Sequence, residues 1–475
     1  MGMRKMKAFN LLVLFIALVL VLALSGCSGS GSKNEQNNNG ANNGAADAGP
    51  SQNNAGNENA TEEEIPAEPT IDLKGQTIKI GAWWDADPRS IAEADRSVLD
   101  QKAIELIEAA EKKYNAKIEY VTVDYGQFVE QFTTTSLAGE PFADIVRLEL
   151  FWMFPKLVKD GFVAALDDLI EIDPNKVPKW MIEGGSFEGK QYGLVDSNPS
   201  PFGIWYNKTL FQKMGLEDPY QLQQSGQWTW DKLVEIAKNA TRDTDGDGKI
   251  DVYGIGGSAK DIFHQFVYSN NAAVDVAEDG SIKFSLDSPN AMEAAQAFYD
   301  LYNVHKVVDM SGEDSNQQFI AGKTAMATAF TWEISNYKQN MTDELGFVFW
   351  PKGPKADKYG AYTPFGNMWT VAKMSKNAEA AARIADEISL WRSVYPEVEA
   401  LVEESRKATY PSPEIIDTIK QMGENTKYIG YYAYPDAEKI VEEAVNNMKD
   451  GKETPATAIE KIKPQIEAAM KQVLE

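Results

Sequence analysis

The chain has 475 residues, 46 of them basic and 71 acidic, for a net charge of −25. That balance argues against nucleic acid as a partner and leaves no basic face for binding a membrane surface. Its single cysteine, Cys27, and its two histidines, His264 and His305, leave carboxylates as the main source of general-base chemistry.

Arg4, Lys5 and Lys7 precede an almost unbroken apolar run from Leu11 to Leu24. The run is shorter than the roughly 20 residues a membrane span requires and fits the apolar segment of a secretion signal. Leu24, Ser25, Gly26 and Cys27 then form a lipobox, the pattern in which the signal is cut and the cysteine is acylated, with palmitate among the expected chains. Residues 1–26 are therefore expected to be a lipoprotein signal peptide, and Cys27 the lipidated N-terminus that anchors the exported protein to the outer face of the cell membrane. A thiol so used leaves none for a disulfide, a metal or nucleophilic catalysis. Residues 27–70 are rich in Asn, Gly, Ala and Ser, with no apolar cluster to offset the entropy of folding, and read as a disordered tether.

Roughly 400 residues remain, enough for two α/β lobes with sizeable cores. Ile78 and Ile80 share a face of a strand over 76–84. A helix should follow, with Leu99, Ala103, Leu106, Ala110 and Tyr114 as its buried stripe. A strand over 117–123, a helix near 125–138 and a short strand over 143–148 continue the alternation, which predicts parallel α/β units. Two amphipathic helices close the chain, one carrying Ala437, Ile440, Val441, Ala444 and Met448, the other Ile459, Ile462, Ile466, Ala469 and Val473.

In such sheets, ligands bind beyond the carboxyl ends of strands. Trp83, Trp84 and Asp85 end the first strand; Arg147, Glu149 and Trp152 follow the third; Trp332 and Glu333 follow the apolar stretch 324–330; Phe365, Asn367 and Trp369 follow a glycine-rich turn. Asp85 with Glu149 is the best carboxylate pair for a glycosidase, although acids are so abundant that such pairs arise by chance. The eleven tryptophans are more informative. An aromatic face suits the C–H patches of a pyranose, while carboxylates, amides and arginines replace water on its hydroxyls. Trp84, Trp152, Trp332 and Trp369 beside Asp85, Arg147, Glu149 and Asn367 supply both, though any one of these rings can equally be core. Trp180, Trp228, Trp230 and Trp391 read as structural.

The sharpest motif is Asp243-Thr-Asp245-Gly-Asp247-Gly248-Lys249-Ile-Asp251. Acids at positions one, three, five and nine, glycine at six and the Lys249 carbonyl at seven match most of an EF-hand loop, so a structural Ca2+ is expected there. Position twelve is Gly254, where an EF-hand has a bidentate glutamate, and Val252, Tyr253 and Ile255 continue as an extended segment rather than a helix.

Taken in order, PFADIVRLE, LVKDGFVAALDDLI, GKQYGLVDSNPSPFGIWYNKTLF, WTWDKLVEIAKNAT, AGKTAMATAFTWEISNY and PFGNMWTVAKMSKNAEAAARIADEI resemble the extracellular solute-binding proteins of ABC transporters, in the sugar-binding group that includes maltose-binding protein. The resemblance implies a two-lobed periplasmic-binding-protein-like α/β fold of type II, with a hinge of several crossings and the ligand between the lobes. It implies a first lobe of 71–200 and 358–405, a second of 201–357 and 406–475, and a first crossing at 197–201. The family's binding residues map onto Trp84, Asp85, Arg147, Trp152 and Trp332, with Tyr431 or Tyr432 offered from the late crossing. Some relatives carry a similar calcium loop with an acid where Val252 stands here. The implied partners are a carbohydrate and the permease subunits, and the implied state is a monomer without catalytic activity. An exported glycosidase and a ligand sensor for a membrane receptor are the other two readings the sequence leaves open.

Overall fold

The computed structural model of the chain describes residues 71–474 apart from 178, 195–199, 279–280, 364–365 and 392. The signal peptide, Cys27, the tether, Phe365 and most of the first crossing lie outside the described residues. Among those described, no helix is long and apolar enough to cross a membrane.

The first lobe begins with β1 (Thr77–Ala82), α1 (Val98–Tyr114), β2 (Lys117–Thr122), α2 (Phe128–Leu137) and β3 (Ile145–Glu149). α1 starts at a capping box in which the Ser97 hydroxyl accepts from the Asp100 N–H and the Asp100 carboxylate accepts from the Ser97 N–H. Its buried residues are Ile104, Ile107, Ala110 and Tyr114. Leu99, Ala103 and Leu106, expected at the centre of the stripe, sit half-buried on its flank. The helix is covered on more than one side: Tyr114 donates its hydroxyl to Glu387, and Lys102 pairs with Glu397, so the apolar face is broader than one row.

The second lobe supplies β4 (Phe202–Asn207), α3 (Trp230–Ala240), β5 (Tyr253–Gly256), α4 (Ala259–Ser269), β6 (Thr324–Phe330), β7 (Leu345–Val348) and β8 (Ala361–Thr363). The chain then returns to the first lobe for β9 (Asn367–Val371) and α5 (Ala378–Ile388), and crosses again to β10 (Thr426–Tyr428), α6 (Pro435–Lys449) and α7 (Pro455–Leu474). The first sheet has the order β9-β3-β1-β2 and the second β7-β4-β6-β5. β1 runs parallel to β2 and β3, whereas β9 is antiparallel to β3.

Each sheet has its own core. Residues 73–194 and 368–391 pack together around the first sheet. The second sheet packs on one face into a core shared with α3, α4, α6 and α7, and on the other into a cluster that includes Trp205, Phe319, Tyr337 and Met422. Trp228, Trp230 and Trp391 are buried. One expected lobe boundary shifts. Tyr359 and Ala361 pack with the second lobe, so the return crossing falls after Thr363 and not at 358. The helix Pro396–Thr409 begins against α1 through Lys102 and Glu397 and ends at the second lobe, where Lys338 donates to the Ala408 and Thr409 carbonyls.

Candidate ligand-binding site

Register builds the first half of the site. β3 and β9 pair so that Arg147 lies opposite Trp369 and Glu149 opposite Asn367. Residues two apart on a strand share a face, and directly opposed residues of antiparallel strands are side-chain neighbours. These four side chains therefore form one block. The Arg147 guanidinium lies 4.7 Å from the Trp369 ring centre, and its Nε donates to the Asn367 side-chain oxygen. Because β1 and β3 are parallel and β9 runs oppositely, the carboxyl ends of β1 and β3 and the start of β9 share an edge. Trp83 and Trp84 leave β1 at that edge.

The second half comes from the other lobe. β6 ends at Phe330, whose ring stacks on Trp332 at 3.9 Å with 10° between planes. Phe202, at the start of β4, braces Phe330 from the side at 4.7 Å. Trp332 is thus held flat by its neighbour while remaining 49% exposed, and Trp84 is 40% exposed. Two large apolar faces are left uncovered, one from each lobe.

Between them lies a cavity of about 810 Å³ lined by Trp83, Trp84, Tyr125, Arg147, Glu149, Ser200, Trp332 and Asn367. Its polar groups converge on Glu149. This carboxyl is 3% exposed and accepts the Gly366 N–H at 3.1 Å. Burial pushes it up to about 7, against the lowering influence of Arg147, the Gly366 N–H and Asn367.

Trp84, Arg147, Glu149, Asn367 and Trp332 therefore come together on one cavity. Trp369 sits beneath Arg147 and 6.4 Å from Trp84, where it positions both. Trp152 does not line the cavity but packs behind it, against Trp83, Tyr125 and Phe128. Asp85 is exposed and stands outside the lining set, so it does not pair with Glu149 across the cavity. Tyr431 and Tyr432 are buried in the second core: the Tyr431 hydroxyl meets His264 Nε2 at 2.5 Å, and Tyr432 lies under Lys260 and against Phe151. The Tyr431 hydroxyl and both rings are taken up in packing against α4, in place of the cavity wall where they were expected. Trp83, Tyr125 and Ser200 are the additions. Trp83 was visible as a strand-end residue, whereas Tyr125 reaches the wall only through a short turn capped by Asp124, a feature the helix expected from 125 concealed.

The Asp243–Asp251 segment is a closed loop. Arg242 bridges to Val252 at its neck, and Gly246 and Gly248 take positive φ. Carboxylate oxygens of Asp243, Asp245 and Asp247 lie within 4.8 Å of one another. Backbone N–H groups, foremost that of Gly248 and then Gly246, hold the Asp243 carboxyl below its usual range; Thr244 does the same for Asp251, first through its hydroxyl. Lys249 offers its carbonyl by position, its side chain reaching Asp247 at 3.6 Å. Gly254 explains the missing glutamate: a Cβ there would lie 2.4 Å from the Ala237 carbonyl oxygen of α3.

Comparison with known proteins places this geometry. Residues 95–387 match the model of the bacterial extracellular solute-binding protein family. A putative binding protein of Brucella abortus (strain 2308) is 23% identical over 299 residues, covering 60% of this chain and 68% of its own. The ABC substrate-binding protein Lmo0181 of Listeria monocytogenes, solved with cycloalternan, superposes with a TM-score of 0.65 at 18% identity, covering 84% of this chain and 99% of its own. A cyclo/maltodextrin-binding protein solved with maltotetraose gives 0.62 at 19% identity, over 86% and 99%. The fold is that of the two-lobed type II periplasmic binding proteins, and the chain belongs to the bacterial extracellular solute-binding protein family.

Proposed function

We propose that the protein captures an oligosaccharide between its lobes and delivers it to the permease of an ABC transporter. The observation that carries this reading is the cavity itself, with the open faces of Trp84 and Trp332 contributed by opposite lobes and Arg147, Glu149 and Asn367 at its floor. Such faces match the apolar sides of pyranose rings, and the polar floor supplies partners for hydroxyls. Micromolar capture requires about −8 kcal/mol, within reach of two stacked rings and a few charge-assisted hydrogen bonds after the cost of closure. The fold neighbours solved with cycloalternan and maltotetraose support the same class of ligand. Isothermal titration calorimetry against neutral and acidic oligosaccharides tests it, and absence of heat with every member of the panel would remove the sugar assignment.

Binding without turnover fits better than glycoside hydrolysis, because Asp85 lies off the cavity wall and leaves Glu149 as the sole carboxylate among the described lining residues. Incubation of the same panel with the protein should yield no products. The Asp243–Asp251 loop is read as a structural Ca2+ site, supported by its three converging carboxylates and by oxygen-only donors suited to a hard cation. The lipobox at Cys27 supports a lipoprotein anchored outside the cell, its tether raising the local concentration of the binding lobes near the permease. Cys27→Ala should release protein that binds ligand normally but supports uptake poorly. Undiminished uptake with the protein free in the medium would refute the tether's role.

A further inference from the structure

The charges in the cavity wall bear on which charge a ligand can carry. Arg147 and Glu149 are the only charged side chains among the described lining residues, one of each sign. They stand two apart on β3 and so share a face. Arg147 is already engaged. Its charge is the foremost influence opposing the burial that raises the Glu149 carboxyl, its Nε donates to Asn367, and its guanidinium lies over the Trp369 ring.

The surroundings supply no further cation. Residues 195–199, which precede Ser200 in the chain, and 364–365, which precede Gly366, contain no Lys or Arg. The phenol of Tyr125, in the wall, is raised by burial and then by two negative charges, Glu149 and, from α6 of the second lobe, Glu438. Lys260 stands 2.7 Å from Glu438 and 3.7 Å from Glu442, so that cluster is negative in sum. The chain as a whole, at −25, repels an approaching anion.

Resting on the oligosaccharide reading above, we propose that the site takes neutral oligosaccharides and turns away those that carry carboxylates, with Glu149 as the residue that sets the preference. A ligand carboxylate is a second negative charge for one positive charge in a space that closure dries, and an unmatched charge there is costly. Nor can it donate to Glu149, since an ionised carboxyl only accepts hydrogen bonds. A sugar hydroxyl meets neither obstacle. It donates to the Glu149 carboxylate and accepts from the Asn367 amide.

Calorimetry on the whole protein at pH 8, where a carboxyl pushed up to about 7 is ionised, tests this. Neutral tetrasaccharides of glucose, galactose, xylose and arabinose are set against those of glucuronate and galacturonate, which match the first two apart from a carboxylate at C6. The tightest neutral probe should bind about tenfold or more tighter than either acidic one, the scale of one like-charge contact at a protein surface. Raising NaCl from about 20 to about 300 mM should narrow that gap by screening and leave the neutral Kd level. The gap should also shrink in Glu149→Gln, whose amide removes the like charge and keeps an acceptor. The comparison within the unsubstituted protein stands whether or not the variant folds. An acidic probe that binds as tightly as the best neutral one overturns the preference and leaves oligosaccharide capture intact. A gap of the same size in folded Glu149→Gln overturns the role given to Glu149. Silence from every probe removes the oligosaccharide reading and this preference with it.

Discussion

Glu149 also sets a sign for stability against pH. Its folded-state carboxyl sits near 7, above the ordinary 4.5, so between those values the folded chain holds a proton that the unfolded chain has given up. Stability from this group therefore falls as pH rises through that window and stays lost above it, by on the order of 3 kcal/mol at most. Glu149→Gln removes the buried charge. It should stabilise the unliganded protein at pH 8 by about 1–3 kcal/mol and change little at pH 5, as read from urea unfolding at both values. An equal effect at the two pH values would show that burial of charge is not the cause. His264 works in the other direction: burial first, and then Lys260, lower it to about 3, so its contribution is lost as pH falls below 6.5, and only the variant-minus-parent difference isolates Glu149. For ligand, Trp84→Ala and Trp332→Ala should each weaken binding tenfold or more in calorimetry, since each removes one of the two open faces. These residues were legible because strand-end aromatics beside polar groups form a chemical pattern in the sequence. Tyr431 and Tyr432 show the limit of that pattern: a neighbouring helix, α4, takes up both rings and the Tyr431 hydroxyl in packing, and nothing in their local sequence records it.

Periodicity and punctuation located most elements, and the departures have local causes. The stripe of α1 runs through Ile104 and Ile107 because the helix is enclosed by the sheet, α5 and the helix Pro396–Thr409, which a single row of apolar residues cannot describe. The register that places Arg147 against Trp369 was not readable, because β3 and β9 lie more than 200 residues apart in the chain and pairing at that separation leaves no local signal. The Asp243–Asp251 loop is the converse, a proposed Ca2+ site whose signal is wholly local in the sequence. Its donor geometry is held by backbone N–H groups and by the Arg242–Val252 bridge, so chelator should lower the melting temperature and Ca2+ restore it. A melting temperature indifferent to both would remove the metal. Gly254 couples the loop to α3. Gly254→Ala should cost about 1–3 kcal/mol in urea unfolding, metal present or not, because the neighbouring atoms at Ala237 are helix backbone and cannot turn aside. A neutral effect would mean that β5 can move away from the helix.

The two lobes are interleaved along the chain. The first takes its β9 strand and α5 from beyond residue 366, after the whole second sheet has been formed, and the second takes α6 and α7 after the chain has left the first again. Met368, Val371, Ala372 and Ala380–Ala385 complete a core begun by Ile78 and Ile80, so no contiguous piece of chain contains a finished lobe. The alternation of strands and helices made two α/β lobes readable, but this interleaving entered only through resemblance, since composition does not say which strand returns to which sheet. It has a consequence for unfolding. Loss of either core strips the other of strands or crossings that define the cavity, and unfolding should be one cooperative transition despite two sheets. Ligand touching both lobes should then move the whole transition: at 100 times Kd the stabilisation is about 2.7 kcal/mol, a rise of about 3 °C for a folded part of roughly 400 residues. Differential scanning calorimetry with and without ligand reads both statements. Two separated peaks, with only one moved by ligand, would mean that the sheets are independent and that the ligand rests on a single lobe; one peak that shifts as a unit, and shifts less in Trp332→Ala, is the outcome the geometry requires.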